Sequence, residues 1–131
     1  GAMTLAAERA ADVLAAGGVS AAVVNARFVK PLDEQCILAF ARRCGAIVTV
    51  EESAAKGGFG AGVLETLAAN DVTIPVRLLG VPDRVFEHAA QGRLRESAGL
   101  TPAGIAEAAR AVIAKKATGR DRSVAVGANV G

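Results

Sequence analysis

The alternation of short aliphatic runs with helix-patterned segments constrains the fold of this chain more than any other feature. Ser20–Ala26 centres on Val23-Val24, Ile47-Val-Thr-Val-Glu51 is apolar enough to be buried on both faces, and Val76-Arg-Leu-Leu79 stops at Gly80. Runs of this length bounded by turn residues read as strands, and near-continuous apolar character marks strands covered on both sides. Between them the period changes. Thr4–Ala16 carries Ala6, Ala10, Val13 and Leu14 at helical spacing and ends at Gly17-Gly18. Asp33 is placed to cap a helix reaching about Arg43, which Gly45 ends. Ala61–Ala69 is again helical and closes at the Asn70-Asp71 turn; Leu94–Gly99 is a short helical piece; Thr101-Pro102 opens the last helix with a cap and a first-turn proline. Strands and helices alternating through short connections predict a three-layer α/β/α domain with a mainly parallel sheet. That domain spans residues 1–117, and the Gly-rich end of the chain, 118–131, is expected to be a flexible tail.

Composition narrows the function classes. Hydrophobic residues make up 52% of the chain and charged residues 21%, with a formal net charge of +2. That balance fits a soluble globular domain. No basic block is interleaved with aromatics, so a nucleic-acid partner is not expected; Lys115-Lys116 and Arg120-Asp121-Arg122 read as a solvated helix end and tail. No apolar run is long enough to cross a bilayer and no charged-then-apolar leader opens the sequence, so no membrane partner is expected and a cytoplasmic location is. Cys36 and Cys44 fall on one predicted helix roughly 12 Å apart, too far for a disulfide and without the companions of a zinc site.

A parallel sheet gathers the polar residues that follow its strands at one edge, the usual ligand edge of open α/β sheets. Asn25 and Arg27, Glu51 and Glu52, and Pro82 and Asp83 all fall there. Gly57-Gly58-Phe59-Gly60 precedes a helix and could present free N–H groups to an anion. It lacks the Lys-Ser/Thr of a P-loop, and the more economical reading is a structural loop that uses glycine freedom and anchors itself through Phe59. Glu51 and Glu52 are not paired acid–base carboxylates, because neighbours on a strand point to opposite faces. One of them is expected to cap backbone amides or pair with Arg27. His88, the sole histidine, has no nucleophile beside it in sequence and reads as a hydrogen-bonded loop residue. Arg27, Lys30, Asp33 and Asp83 are the best functional set, as an interface between domains or subunits, with Pro31 and Pro82 fixing the loops around them.

The ordered blocks Asn25-Ala-Arg-Phe-Val-Lys-Pro-Leu-Asp33, Val48-Thr-Val-Glu-Glu52, Gly57-Gly-Phe-Gly60, Leu79-Gly-Val-Pro-Asp-Arg84, Phe86-Glu-His88 and Gly99-Leu100 resemble the C-terminal domain of the transketolase family. Within it they look closest to the 1-deoxy-D-xylulose-5-phosphate synthases. The resemblance implies a parent transferase that uses thiamine diphosphate and Mg2+ to condense pyruvate with glyceraldehyde 3-phosphate and release carbon dioxide. It also implies a role in isoprenoid and thiamine biosynthesis. The family's Gly-Asp-Gly motif with a downstream Asn does not occur here, nor do the histidines that contact substrate. The resemblance therefore implies no catalytic, cofactor-binding or metal residue in this stretch. The implied partners are upstream domains of the same polypeptide and a second subunit in a homodimer, and the chain alone is expected to be inactive.

Two departures accompany the resemblance. Ser53 stands where relatives often carry Asn. Such domains also open with an apolar strand leading into a Gly-x-Met turn, whereas here Gly1-Ala-Met3 has no strand ahead of it, so the neighbouring strands are expected to show unpaired edges. The alternatives are a free-standing α/β binding or scaffold module, or the corresponding domain of a pyruvate dehydrogenase β chain or of transketolase itself.

Overall fold

The computed structural model describes residues 2–26, 32–54, 58–81, 98–116 and 123–129. In chain order these form α1 (Ala2–Ala16), β1 (Ser20–Ala26), α2 (Glu34–Cys44), β2 (Ile47–Ala54), α3 (Phe59–Ala69), β3 (Val76–Val81), α4 (Pro102–Ala114) and β4 (Ser123–Asn129). The sheet runs β1-β4-β2-β3, and every neighbouring pair is parallel. The predicted three-layer arrangement is what the chain adopts.

Alternation along the strands divides the core in two. Val48, Val50, Leu79, Val124, Val126 and Ala128 face a layer made by α1 and α4. Ile47, Ala125 and Val76 point the other way, to α2 and α3. The α1 face is built from Met3, Ala6, Ala7, Ala10 and Leu14, one stripe at helical spacing, while Val13 turns outward and is 45% exposed. The alanines let α1 lie close to the sheet. Helix ends follow the sequence signals. The Asp33 side chain accepts from Cys36 N–H at 3.0 Å, and Thr101 does the same for Gly104 N–H at 3.1 Å. Gly45 closes α2 in the left-handed region at φ 71°, its N–H donating to Ala41 O. Arg42 and Arg43 in the last turn of α2, with Glu34 in the first, complement the helix dipole.

The expectation for the end of the chain needs correction. Ser123–Asn129, read as part of a flexible tail, is β4, hydrogen-bonded on both sides in the interior of the sheet. It pairs with β1 from Ser20↔Ser123 to Ala26↔Asn129 and with β2 from Ile47↔Ala125 to Val50↔Ala128. Val124, Val126 and Ala128 are fully buried. The unpaired inner edges expected for β1 and β2 are therefore filled by β4. Gly127, read as tail composition, lies where the Phe59 ring leaves little room, 3.3 Å from the position of a Cβ. Other boundaries moved less: β2 runs on to Ala54 and α3 starts at Phe59. Most of the short helical piece predicted at 94–99 lies outside the described residues.

Candidate functional site

All four strands end at one edge, and there β2 delivers Glu51 beneath the first turn of α3. Glu51 is 0% exposed. Its Oε1 accepts from the Phe59 N–H at 3.1 Å and its Oε2 from the Gly60 N–H at 2.8 Å. The residue preceding α3 is Gly58, whose missing side chain leaves no local cap. A carboxylate from the neighbouring strand thus supplies what an N-cap side chain would, with the added attraction of negative charge for a helix N-terminus. The anion for which the Gly57–Gly60 loop seemed suited is this internal carboxylate. Glu52, the next residue, is exposed, as strand alternation requires.

Space, rather than backbone freedom, explains the glycine of this turn. Gly58 is extended, with φ −92° and ψ −157°. A Cβ on Gly60 would lie 2.6 Å from Thr49 Oγ1 and 2.8 Å from Leu78 Cδ2, so the helix could not sit this close to β2 and β3. Phe59 is 5% exposed and anchors the turn, its ring 3.3 Å from where a Cβ on Gly127 would stand. Gly127 and Thr49 face each other across β4 and β2 under that ring. Neither was singled out in the sequence; the signal available for Gly127 was its place directly after the Val124-Ala-Val126 run. Beside them lies a cavity of about 40 Å³, lined by Val24, Cys36, Phe40, Thr49, Phe59 and Gly127 among others. It has room for water-sized groups, not for a cofactor.

The remaining predicted residues divide cleanly. Asp33 is exposed and caps α2. Arg27, Lys30, Asp83, Gly57, Pro31, Pro82 and His88 lie outside the described residues. Neither Cys36 nor Cys44 is in a disulfide; burial, and then the negative Asp33 beside it, push the Cys36 thiol above its usual pKa. Among the described residues no three His, Cys, Asp or Glu side chains come together as a metal site, and no helix is long and apolar enough to cross a membrane.

Comparison with known proteins gives this arrangement a context. The family described as transketolase, C-terminal domain, matches residues 1–105. The chain is 55% identical over 114 residues to 1-deoxy-D-xylulose-5-phosphate synthase of Thermomicrobium roseum, covering 87% of this chain and 18% of that protein. It is 52% identical over 110 residues to the Heliobacterium modesticaldum enzyme of the same name, covering 84% and 17%. Among solved structures it resembles a split gene transketolase, described as an inactive beta4 tetramer, with a TM-score of 0.79 and 38% identity over 87% of this chain and 37% of that one. The chain thus spans less than a fifth of the synthases it matches, and the parallel sheet, the layers and the sequence agree that it belongs to the transketolase C-terminal domain family.

Proposed function

We propose that this chain serves as the C-terminal domain of a 1-deoxy-D-xylulose-5-phosphate synthase, completing the subunit and its homodimer while upstream domains of the same polypeptide perform the condensation of pyruvate with glyceraldehyde 3-phosphate. The observation that carries this reading is the closed state of the α3 N-terminus. Its two leading N–H groups are held by Glu51, so the best anion cradle at the ligand edge is used for folding. Thiamine diphosphate and Mg2+, which the family implies for the parent enzyme, do not fit the described residues. No cluster of three His, Cys, Asp or Glu side chains is present among them, and the cavity beside the turn is lined by apolar groups and one threonine, with no cation to meet a diphosphate. The 55% and 52% identities to synthases support the parent enzyme chosen. The name of the split gene relative, an inactive beta4 tetramer, supports inactivity of an isolated part.

In this reading Arg27, Lys30, Asp33 and Asp83 contact the upstream domain or the second subunit. The test is reconstitution. The chain alone, titrated calorimetrically with thiamine diphosphate and Mg2+, should show no saturable binding tighter than millimolar. Mixed with the upstream part of a synthase, it should form a complex that releases carbon dioxide from pyruvate only when glyceraldehyde 3-phosphate is present. Failure to associate with any such upstream part would favour a free-standing binding module.

A further inference from the structure

The cavity beside the Phe59 ring is built from three local patterns. Val24, Gly127 and Thr49 are register partners across β1, β4 and β2, so they form one row on the face turned to α2 and α3. Gly127, in the middle of that row, contributes no side chain and leaves a gap between Val24 and Thr49. Cys36 and Phe40, at i and i+4 on α2, and Phe59 and Val63, at i and i+4 on α3, make the walls. Cys36 and Phe40 are only partly buried, and the space, about 40 Å³, is open to solvent on one side.

Thr49 carries the one hydroxyl in this lining and is 0% exposed, yet its Oγ1 makes no hydrogen bond with any described residue. A buried hydroxyl without a partner destabilises a fold, whereas valine has the same shape, suits a strand equally and leaves nothing unsatisfied. Packing alone therefore does not call for the oxygen. The rest of the lining is apolar apart from the Cys36 thiol, and that chemistry selects an occupant. A charged group would be left unpaired. A water needs two to four polar partners, and one hydroxyl with a weak thiol serves it poorly. A neutral organic molecule needs only one: its oxygen meets Thr49 while its carbons lie against Phe40, Phe59 and Val63. At roughly 10–15 Å³ for each water-sized group, the space takes about three or four heavy atoms. We propose that this cavity is a binding site for a small neutral oxygenated molecule, a short-chain alcohol or ketone, whose oxygen pairs with the Thr49 hydroxyl. The site is independent of which parent enzyme the domain serves.

Titration of the chain with isopropanol, followed by heteronuclear NMR, tests this, with xenon as an apolar occupant of similar size. Isopropanol should move the signals of Val24, Thr49, Val63 and Gly127 saturably, with a dissociation constant of about 1–50 mM, and leave those of α1 and α4 in place. Thr49→Val should weaken isopropanol at least about fivefold, the effect of one lost hydrogen bond, while xenon binds as before. With neither probe present, Thr49→Val should melt at or above the parent's temperature, because an unpartnered hydroxyl has been removed. Cys36→Leu, which extends a partly exposed side chain into the space, should exclude both probes. The proposal is overturned by the absence of saturable shifts up to about 200 mM isopropanol, or by equal affinity in Thr49→Val. It is also overturned by undiminished binding in Cys36→Leu, or by a Thr49→Val variant that melts well below the parent, as it would if water already satisfied the hydroxyl.

Discussion

Removing the Glu51 carboxylate should be among the most damaging single changes in the described core. In Glu51→Ala the Phe59 and Gly60 N–H groups, now at 3.1 and 2.8 Å from carboxylate oxygens, lose their acceptors in a buried site. Each buried donor left unsatisfied costs about 1–3 kcal/mol, and loss of a negative charge at a helix N-terminus adds up to about 1 kcal/mol. The sum, about 2–7 kcal/mol, is a large part of the 5–15 kcal/mol that typically holds a domain together. For a chain of this size it lowers the melting temperature by roughly 10–20 °C. Glu51→Gln keeps one acceptor oxygen and sets an amide against the other donor, so it should fall between the parent and Ala. Glu51→Leu separates hydrogen bonding from packing: it fills the space and supplies no acceptor, and should be no more stable than Ala. Urea unfolding followed by circular dichroism gives the free energies, and hydrogen exchange at Phe59 and Gly60 gives the local effect. If Glu51→Leu matches the parent, or Glu51→Ala loses less than about 1 kcal/mol, the carboxylate is not what holds α3 to β2.

Three further changes probe other parts of the same edge. Gly127→Val places methyl groups where the Phe59 ring already lies 3.3 Å from the Cβ position, and should cost at least about 1–3 kcal/mol of overpacking; relief by Phe59→Leu, measured as a coupling in a double-mutant cycle, should recover part of it. Cys36, its thiol held mostly protonated by burial and by Asp33, should react with a disulfide reagent at pH 8 more slowly than a free cysteine and speed up as pH rises. Asp33→Asn removes the charge that opposes the thiolate while keeping a competent cap, so it should accelerate that reaction with little change in melting temperature. In an assembled enzyme, Asp83→Lys should weaken association in sedimentation with activity falling in proportion; a fully assembled variant with a large loss of turnover would move Asp83 to the reaction itself.

What the sequence disclosed followed from how many independent signals each element carried. α2 announced itself through Asp33 at its start and Gly45 after it, and each performs the expected task. β1 and β2 were legible because aliphatic runs lay between turn residues on both sides. One of Glu51 and Glu52 was expected to cap backbone amides or pair with Arg27; that it is Glu51, and that it reaches α3, depends on β2 and α3 coming together, which no local pattern encodes. β4 was misread for the same reason. A central strand in a three-layer sheet is specified by what packs on it, and small residues where two helices press close look, in isolation, like a linker. The need for Gly127 arises only once Phe59 lies over it, although the two are far apart in sequence. Arg27 and Asp83 lie outside the described residues, so their expected roles stand on the sequence alone. The closed α3 N-terminus and β4 between β1 and β2 have one thing in common: both meet a demand of the buried interior, the first for hydrogen-bond acceptors and the second for strand pairing, with groups brought from elsewhere in the sequence.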